Sequence, residues 1–406
     1  MFPRVSGFRS PVTRDIWWLF PGAGVQQVRD KLSTKIDSKS EPVSGEDNRR
    51  RASASRIWGV CAYFNPQRSR LILRNYRLFR ASLRQQGLPL LTVELAFARR
   101  AFALAGEDAD LLVQVRADSV LWHKERLINI GMEKLPRECD QVVWLDADIL
   151  FQNQNWVAET SLLLERYNAV QPFEFGIRLP EGALGIETDS LPLGRDVGMK
   201  EPSDARFKSD PTGFTFSLAG FAWAVRRGVL RDMGLYDRMI LGMADSIISD
   251  ALCGNPINYD RPCLKPSTVA RDVEKWYAAV RDRVGDGVSF TPGHVLHLYH
   301  GPAKNRGYRE ANEGGAKREL IFNKIEFDPI NDLRINSDGC LEWASDKPEL
   351  HRFVRRYFWL RNDDSLLWRE LCIRFIELPS NIARLASKIP ERVRRFRDKC
   401  LRSGAA

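Results

Sequence analysis

The clearest signal in the chain is an alternation between two hydrophobic periods that starts at residue 56. Residues 57–64 (I-W-G-V-C-A-Y-F) are a nearly continuous apolar run broken by Asn65-Pro66, the pattern of a strand buried on both faces. Ile72, Tyr76, Phe79 and Leu83 then recur at steps of four, three and four, with Gly87 as a stop, which predicts an amphipathic helix. Its Arg70, Arg74, Arg77, Arg80 and Arg84 fall largely on the opposite face. Strands are expected over 88–97, 111–115 and 141–145, and a helix over about 119–135, stopped by Pro136, with Leu121, Ile128, Met132 and Leu135 on one side. Strand and helix alternating in this way imply an α/β fold: a Rossmann-type, mostly parallel sheet with helices on both faces. In such sheets ligands bind beyond the carboxyl ends of the strands. The places to look are therefore Asn65, the vicinity of Glu94, and the residues after Leu145.

Outside this core the pattern lapses. Residues 1–55 hold one short aromatic piece (16–20) and a polar run dense in Ser, Lys, Asp, Glu and Arg, expected to be disordered or extended. The piece at 16–20 is far shorter than the ~20 residues that span a bilayer, and it lacks the features of a secretory signal. That places the chain in the cytoplasm. Seven scattered cysteines with no Cys-x-x-Cys pair read as reduced thiols.

Composition is ordinary, 44% hydrophobic and 28% charged, but the net charge of +10 is uneven. Residues 351–406 carry 14 Lys and Arg against 6 Asp and Glu, so eight of the ten net positive charges sit in the tail. A nucleic-acid protein would carry its charge on the folded domain, so that class is set aside. The tail mixes Arg and Lys with Leu, Ile, Phe and Trp, which suits peripheral contact with an anionic membrane; a solvated helix is the plainer alternative.

The candidate chemistry lies in Q-V-V-W-L-D-A-D-I-L-F, residues 141–151, where Asp146 and Asp148 stand two apart inside an apolar run. Buried carboxylates need a cation, and oxygen ligands select hard ions such as Mn²⁺ or Mg²⁺. The tripeptide alone decides little, since on the order of one Asp-x-Asp is expected by chance in a chain this long. A second copy, Asp108-Ala-Asp110, sits in a polar loop where solvation explains it.

Three further features bear on the choice. Lys124 and Arg126 lie in the N-terminal half of the helix before the aspartate strand, from where either could reach phosphate. Gly242-Met-Ala-Asp245 follows an apolar strand at 220–225, and Asp245 could act as a general base toward an acceptor hydroxyl or could be a helix N-cap. Three of five histidines fall in His294-Val-Leu-His297-Leu-Tyr-His300-Gly301, ahead of Lys304 and Arg306.

Together these residues resemble the GT-A glycosyltransferases, closest to the group with strand-Leu-Asp-x-Asp-hydrophobic and a C-terminal His near Gly-x-x-Lys. The resemblance spans about residues 57–309, which suggests a GT-A domain over 56–345, with 346–406 as a basic helical extension. It implies a nucleotide-sugar donor, with Asp146, Asp148 and a C-terminal histidine on Mn²⁺ (or Mg²⁺) and Lys304 on the donor diphosphate. Arg126 matches the donor-binding arginine of the preceding helix, and Lys124 and Asn65 join the donor-side set. The histidine position of the group is Leu298 here, so the resemblance implies His297, one residue before it, or His300, two residues after it, as the ligand. The acceptor, whether glycan, lipid or protein, is not specified, because the group's Asp-Gln-Asp is absent and only Asp245 takes its place. Two other functions share these residues: an inactive nucleotide-binding member of the fold, or a metal-dependent phosphohydrolase. Two weaker segments complete the chain. The Gly- and Pro-rich stretch 174–215 is expected to be a structureless loop, an acceptor flap or plain disorder. Residues 327–343 are expected to be a small irregular extension on the main domain.

Overall fold

The computed structural model describes residues 56–185, 195–197, 219–264, 267–285, 288–302, 305, 327–369 and 371. The chain divides after Arg50 into two units, and the first lies wholly outside the described residues. So do Lys304 and the tail from residue 372.

Strand β1 (Ile57–Phe64) is at the centre of a seven-stranded sheet. Its residues alternate between two cores: Trp58 and Val60 join one apolar cluster, while Ile57, Cys61 and Tyr63 join the other. That two-sided burial is why the run reads as continuously apolar. Helix α1 (Arg70–Gln85) follows, burying Tyr76, Phe79 and Leu83, and the chain leaves it through Gly87 at φ +76°, where a side chain would be strained. Next come β2 (Leu90–Phe97), β3 (Leu111–Ala117), α2 (Lys124–Lys134) and β4 (Gln141–Leu145). Strands β2, β1 and β4 are parallel neighbours, and β3 extends the sheet beyond β2. Helix α2 starts five residues later than the periodicity suggests, because the loop ahead of it is tied down elsewhere.

The rest of the chain adds β5 (Ile149–Phe151), α3 (Trp156–Arg166), β6 (Ala169–Gln171), β7 (Phe175–Arg178), β8 (Arg195–Val197) and β9 (Ala222–Arg226). After them lie α4 (Ala244–Leu252), α5 (Ser267–Val284), β10 (Val288–Phe290) and β11 (His294–His297). The main sheet runs β10-β6-β9-β4-β1-β2-β3, and β9 is its one antiparallel member, inserted between β4 and β6. Helices α1 and α3 supply the core on one face and α2, α4 and α5 that on the other, so the mostly parallel, doubly covered sheet expected from the alternation is present. A second sheet, β5-β11-β7-β8, lies at the end of β4. The stretch after residue 174 is thus not structureless at its start: β7 pairs in parallel with β11.

The segment 327–343 is more regular than expected, a hairpin of β12 (Leu333–Ile335) and β13 (Leu341–Trp343). Buried Glu342 accepts the backbone N–H groups of Asp118 and Ser119 at 2.6 and 2.8 Å, fixing the loop that leads into α2. Helix α6 (Pro348–Leu360), in the segment assigned to the C-terminal extension, adds Leu350, Val354, Tyr357 and Phe358 to the larger core.

Two expectations about charge change. Arg80 lies on the buried side of α1, where it bonds Asp110 at 2.9 Å, and Asp110 also accepts the Leu90 N–H at 2.8 Å. Asp108 accepts the Ala105 N–H at 2.9 Å and lies 3.7 Å from Arg77. The second Asp-x-Asp is structural, as expected, but through pairing with α1 rather than solvation.

Gly131 of α2 faces β1 and β2 with no room to spare. A Cβ there would stand 2.6 Å from Val60 Cγ1, 2.9 Å from Leu91 Cδ2 and 3.1 Å from Val93 Cγ2. Alanine in a helix ordinarily gains about 1 kcal/mol over glycine, whereas overpacking costs about 1–3 kcal/mol. Branched Val60 cannot turn aside, so packing wins. Gly131→Ala should therefore destabilise the protein by about 1–2 kcal/mol, seen as a lower urea midpoint. A raised midpoint would mean that α2 can lift off the sheet.

Candidate functional site

Strand β4 ends at buried Leu145, and the chain emerges at Asp146 beyond the carboxyl edge of the sheet, the location expected for ligand chemistry. Asp146 is held at both ends. Its N–H donates to Phe221 O at 2.7 Å, and its Oδ2 accepts the Phe221 N–H at 3.2 Å. Its Oδ1 forms an ion pair with Lys124 Nζ. Lys124 is the first residue of α2, which the Glu342 clamp aims at the end of β4.

Two more carboxylates join this pair. A methyl group on Gly220 would stand 3.1 Å from Asp245 Oδ2 and 3.8 Å from Asp146 Oδ2, so both acids flank one backbone position that has no side chain. Asp245 is not the N-cap of α4. Met243 holds that place with φ +81°, after Gly242 at the same angle, and Asp245 Oδ1 accepts the Ser246 N–H at 2.9 Å. The third acid, Glu125, was not anticipated. It is buried, accepts the Trp122 indole N–H at 3.0 Å, and lines the same small cavity as Lys124, Gly220 and Asp245. No pattern in W-H-K-E-R-L marks it, because a charged turn and a buried acid have the same spelling.

The electrostatics follow from the crowding. Burial alone would lower the Lys124 pKa, but Asp146, then Glu125 and Asp245, outweigh it and hold the ammonium well above its ordinary value. Burial raises the Glu125 carboxyl from 4.5 to about 7, with Lys124 opposing and Asp245 adding to the shift.

The second sheet brings the histidines in. Strand β11 pairs antiparallel with β5, His297 opposite Ile149, and the Leu298 N–H donates to Asp148 O at 2.8 Å. This register sets His297 Nε2 3.4 Å from Asp148 Oδ1, and the following turn sets His300 Nε2 4.0 Å from Asp148 Oδ2. The two rings meet edge to face, centroids 4.5 Å apart. One ligand atom from each of Asp148, His297 and His300 falls within a 4.8 Å cluster, the single such group among the described residues. One carboxylate and two imidazoles fit a divalent ion. His297 and His300, the two alternatives from the sequence, both face Asp148, with Leu298 buried between them. Asp146 is not in the cluster. His297 also stacks on Phe221, centroids 4.6 Å apart and planes 10° apart, and Phe221 has φ +72°. A bulky residue in that region costs on the order of 1 kcal/mol, strain of the kind concentrated at functional sites.

Of the remaining expected residues, Arg126 faces elsewhere. Two positions along a helix differ by about 200°, so it points away from Lys124 and bonds Asp237 at 3.2 Å and the Gly339 carbonyl. Asn65 is tied into the β1–α1 loop, its Oδ1 accepting the Ser69 N–H at 2.8 Å and its Nδ2 donating to Ser69 O at 2.7 Å. It lines a cavity of about 310 Å³ beyond the ends of β1 and β2, with Arg68, Glu94 and Arg100. Glu94 is spent on the loop beneath, accepting the Leu104 N–H and the Gln114 amide.

No family model matches the chain, and no curated protein matches it. Solved structures do. Glucosyl-3-phosphoglycerate synthase from Mycobacterium tuberculosis, solved with Mn²⁺, UDP and phosphoglyceric acid, is 12% identical at a TM-score of 0.32, covering 70% of this chain and 83% of that one. S. aureus TarS 1–349 with UDP-GlcNAc is 10% identical at a TM-score of 0.34, covering 86% and 80%. The catalytic domain of Drosophila beta1,4-galactosyltransferase 7, solved with xylobiose, is 12% identical at 0.31, covering 73% and 98%. The chemistry of the site rests on this chain's own residues.

The raised Glu125 carboxyl has a consequence for stability. Between pH 4.5 and about 7 the folded protein keeps a proton that the unfolded chain releases, so stability falls as pH rises through that window. Glu125→Gln should flatten this slope in denaturation curves taken across it; an unchanged slope would assign the effect to another group.

Proposed function

We propose that this chain is a GT-A-type glycosyltransferase that takes a sugar from a nucleotide-diphosphate donor. The observation that supports this best is the Asp148, His297 and His300 cluster at the end of β4, directly after the Lys124–Asp146 ion pair. On this reading the three residues hold a divalent cation, which would neutralise charge on the departing diphosphate. Imidazole nitrogen is a softer ligand than oxygen, so the set favours Mn²⁺ over Mg²⁺.

Each remaining group has work in that scheme. The cavity beside Asn65 takes the nucleoside, which leaves the diphosphate running along the sheet edge toward Asp148. Lys124 offers its ammonium to a phosphate oxygen, and Lys304, by the family resemblance, offers a second. Asp146 keeps the Lys124 side chain extended and orients it. Asp245 stands on the acceptor side as base: it takes the proton of the attacking hydroxyl as the bond to the sugar carbon forms and the sugar–phosphate bond breaks. Arg126, engaged with Asp237, is a positioning residue for α2 and not a phosphate ligand.

Two measurements test the scheme. In thermal melts with a panel of nucleoside diphosphates, stabilisation should require Mn²⁺ and should disappear in Asp148→Ala. Metal-independent stabilisation untouched by that substitution would remove the basis of the proposal. Asp245→Asn should retain the Mn²⁺-dependent shift while turnover of the donor falls by about 10²–10⁴. Equal turnover would place the base elsewhere, and a wild-type protein that binds donor with Mn²⁺ without ever hydrolysing or transferring it would be a binding member of the fold.

A further inference from the structure

The described segment after α6 is pinned against the mouth of the site. Asp364 accepts Ser69 Oγ at 2.6 Å and the N–H groups of Arg70 and Leu71 at 3.1 and 3.0 Å, so it caps α1 from the far end of the chain. Arg369 donates to Gln67 at 2.9 Å, and Ser365 meets Tyr299, next to His300, at 3.1 Å. Gly301 packs so closely on this segment that a Cβ would lie 2.9 Å from the Asp363 Cα. Asn362 holds Leu366 through both main-chain groups, at 3.0 and 3.2 Å.

Beyond these anchors the side chains face solvent. Leu367 is 74% exposed, Leu371 54% and Trp368 44%, and with Leu366 they make four of the ten exposed large hydrophobics among the described residues, packed into six positions. Scattered exposed leucines need no explanation, but a concentration like this marks a surface that meets something apolar. Leu367, Trp368 and Leu371 stand at helical spacings of one, three and four, on one side of a turn.

We propose that Leu367, Trp368 and Leu371 form a docking patch for an anionic lipid surface. Two features favour lipid over a protein groove. Tryptophan beside leucines is the residue mixture of a membrane interface, apolar with one polar handle. And the 35 residues that follow carry nine Lys and Arg against three Asp and Glu, charge spread along the chain that a sheet of anionic headgroups matches without any fixed geometry. Because Arg369 and Asp364 tie the patch to the loop beside Asn65, docking sets the site mouth at headgroup level. A lipid-linked acceptor would reach it there; that last step rests on the glycosyltransferase reading, while the binding itself does not.

The test uses full-length protein in co-sedimentation with vesicles of phosphatidylcholine alone or mixed with phosphatidylglycerol. Wild type should partition onto the mixed vesicles and not the neutral ones. The triple variant L367S/W368S/L371S should lose at least about tenfold in partition, since each buried apolar side chain adds to interfacial binding. Its melting temperature should not fall, because the three side chains are exposed. Three results would overturn the proposal: no binding by wild type, equal partition by the variant, or a wild-type dimer in size exclusion that the variant abolishes, which would give the patch to a second copy. The Mn²⁺-dependent nucleotide shift, measured on both proteins, reports separately on the catalytic reading.

Discussion

Three acids, Asp146, Glu125 and Asp245, share one lysine at the end of a buried strand, and much of the architecture is organised around that imbalance of charge. Lys124 can satisfy one carboxylate outright. Glu125 escapes by holding its proton toward neutrality, and Asp245 turns one oxygen to the backbone of its own helix. The negative charge that is left lies beside a carboxylate flanked by two imidazoles. A site built this way gives up some stability of its own. The left-handed Phe221 and Met243 are further signs that the fold tolerates strain beside the candidate site.

The second sheet fixes the histidines. The β5–β11 pairing crosses from Asp148 to Leu298, about half the described chain apart in sequence, and sets the histidines by backbone register rather than by loop conformation. Register admits no intermediate positions: a slip by one residue would turn His297 to the opposite face. The hairpin at 333–343 steadies α2 in a similar way, holding the loop ahead of it through Glu342. Backbone pairing and a distant hairpin therefore decide where the side chains of the candidate site stand.

Much of this was legible in the chain itself, and the failures have physical reasons. The continuous run at 57–64 and the run at 141–145 declared two-sided burial, and both are strands between two cores. Strand direction leaves no such mark, so antiparallel β9 could not be told from a parallel neighbour. Arg80 has the same letter as the solvated arginines around it; only its partner Asp110, on another element, shows that it points inward. The histidines were readable as a cluster but not as neighbours of one carboxylate, because Asp148 is brought beside them only through β5–β11 pairing. Glu125 was invisible for the same reason, its environment being made by Gly220 and Asp245 from elsewhere in the chain.

The cap on α1 links residues nearly three hundred positions apart, Ser69 and Asp364. Synthesis proceeds from the amino end, so the central strand and its helix exist long before the residue that closes them arrives. Until then the β1–α1 loop and the histidine turn lack their common brace. A growing chain can thus form its main sheet while the edge beside the histidine turn is still open, and a segment translated after every strand of that sheet is the one that braces it.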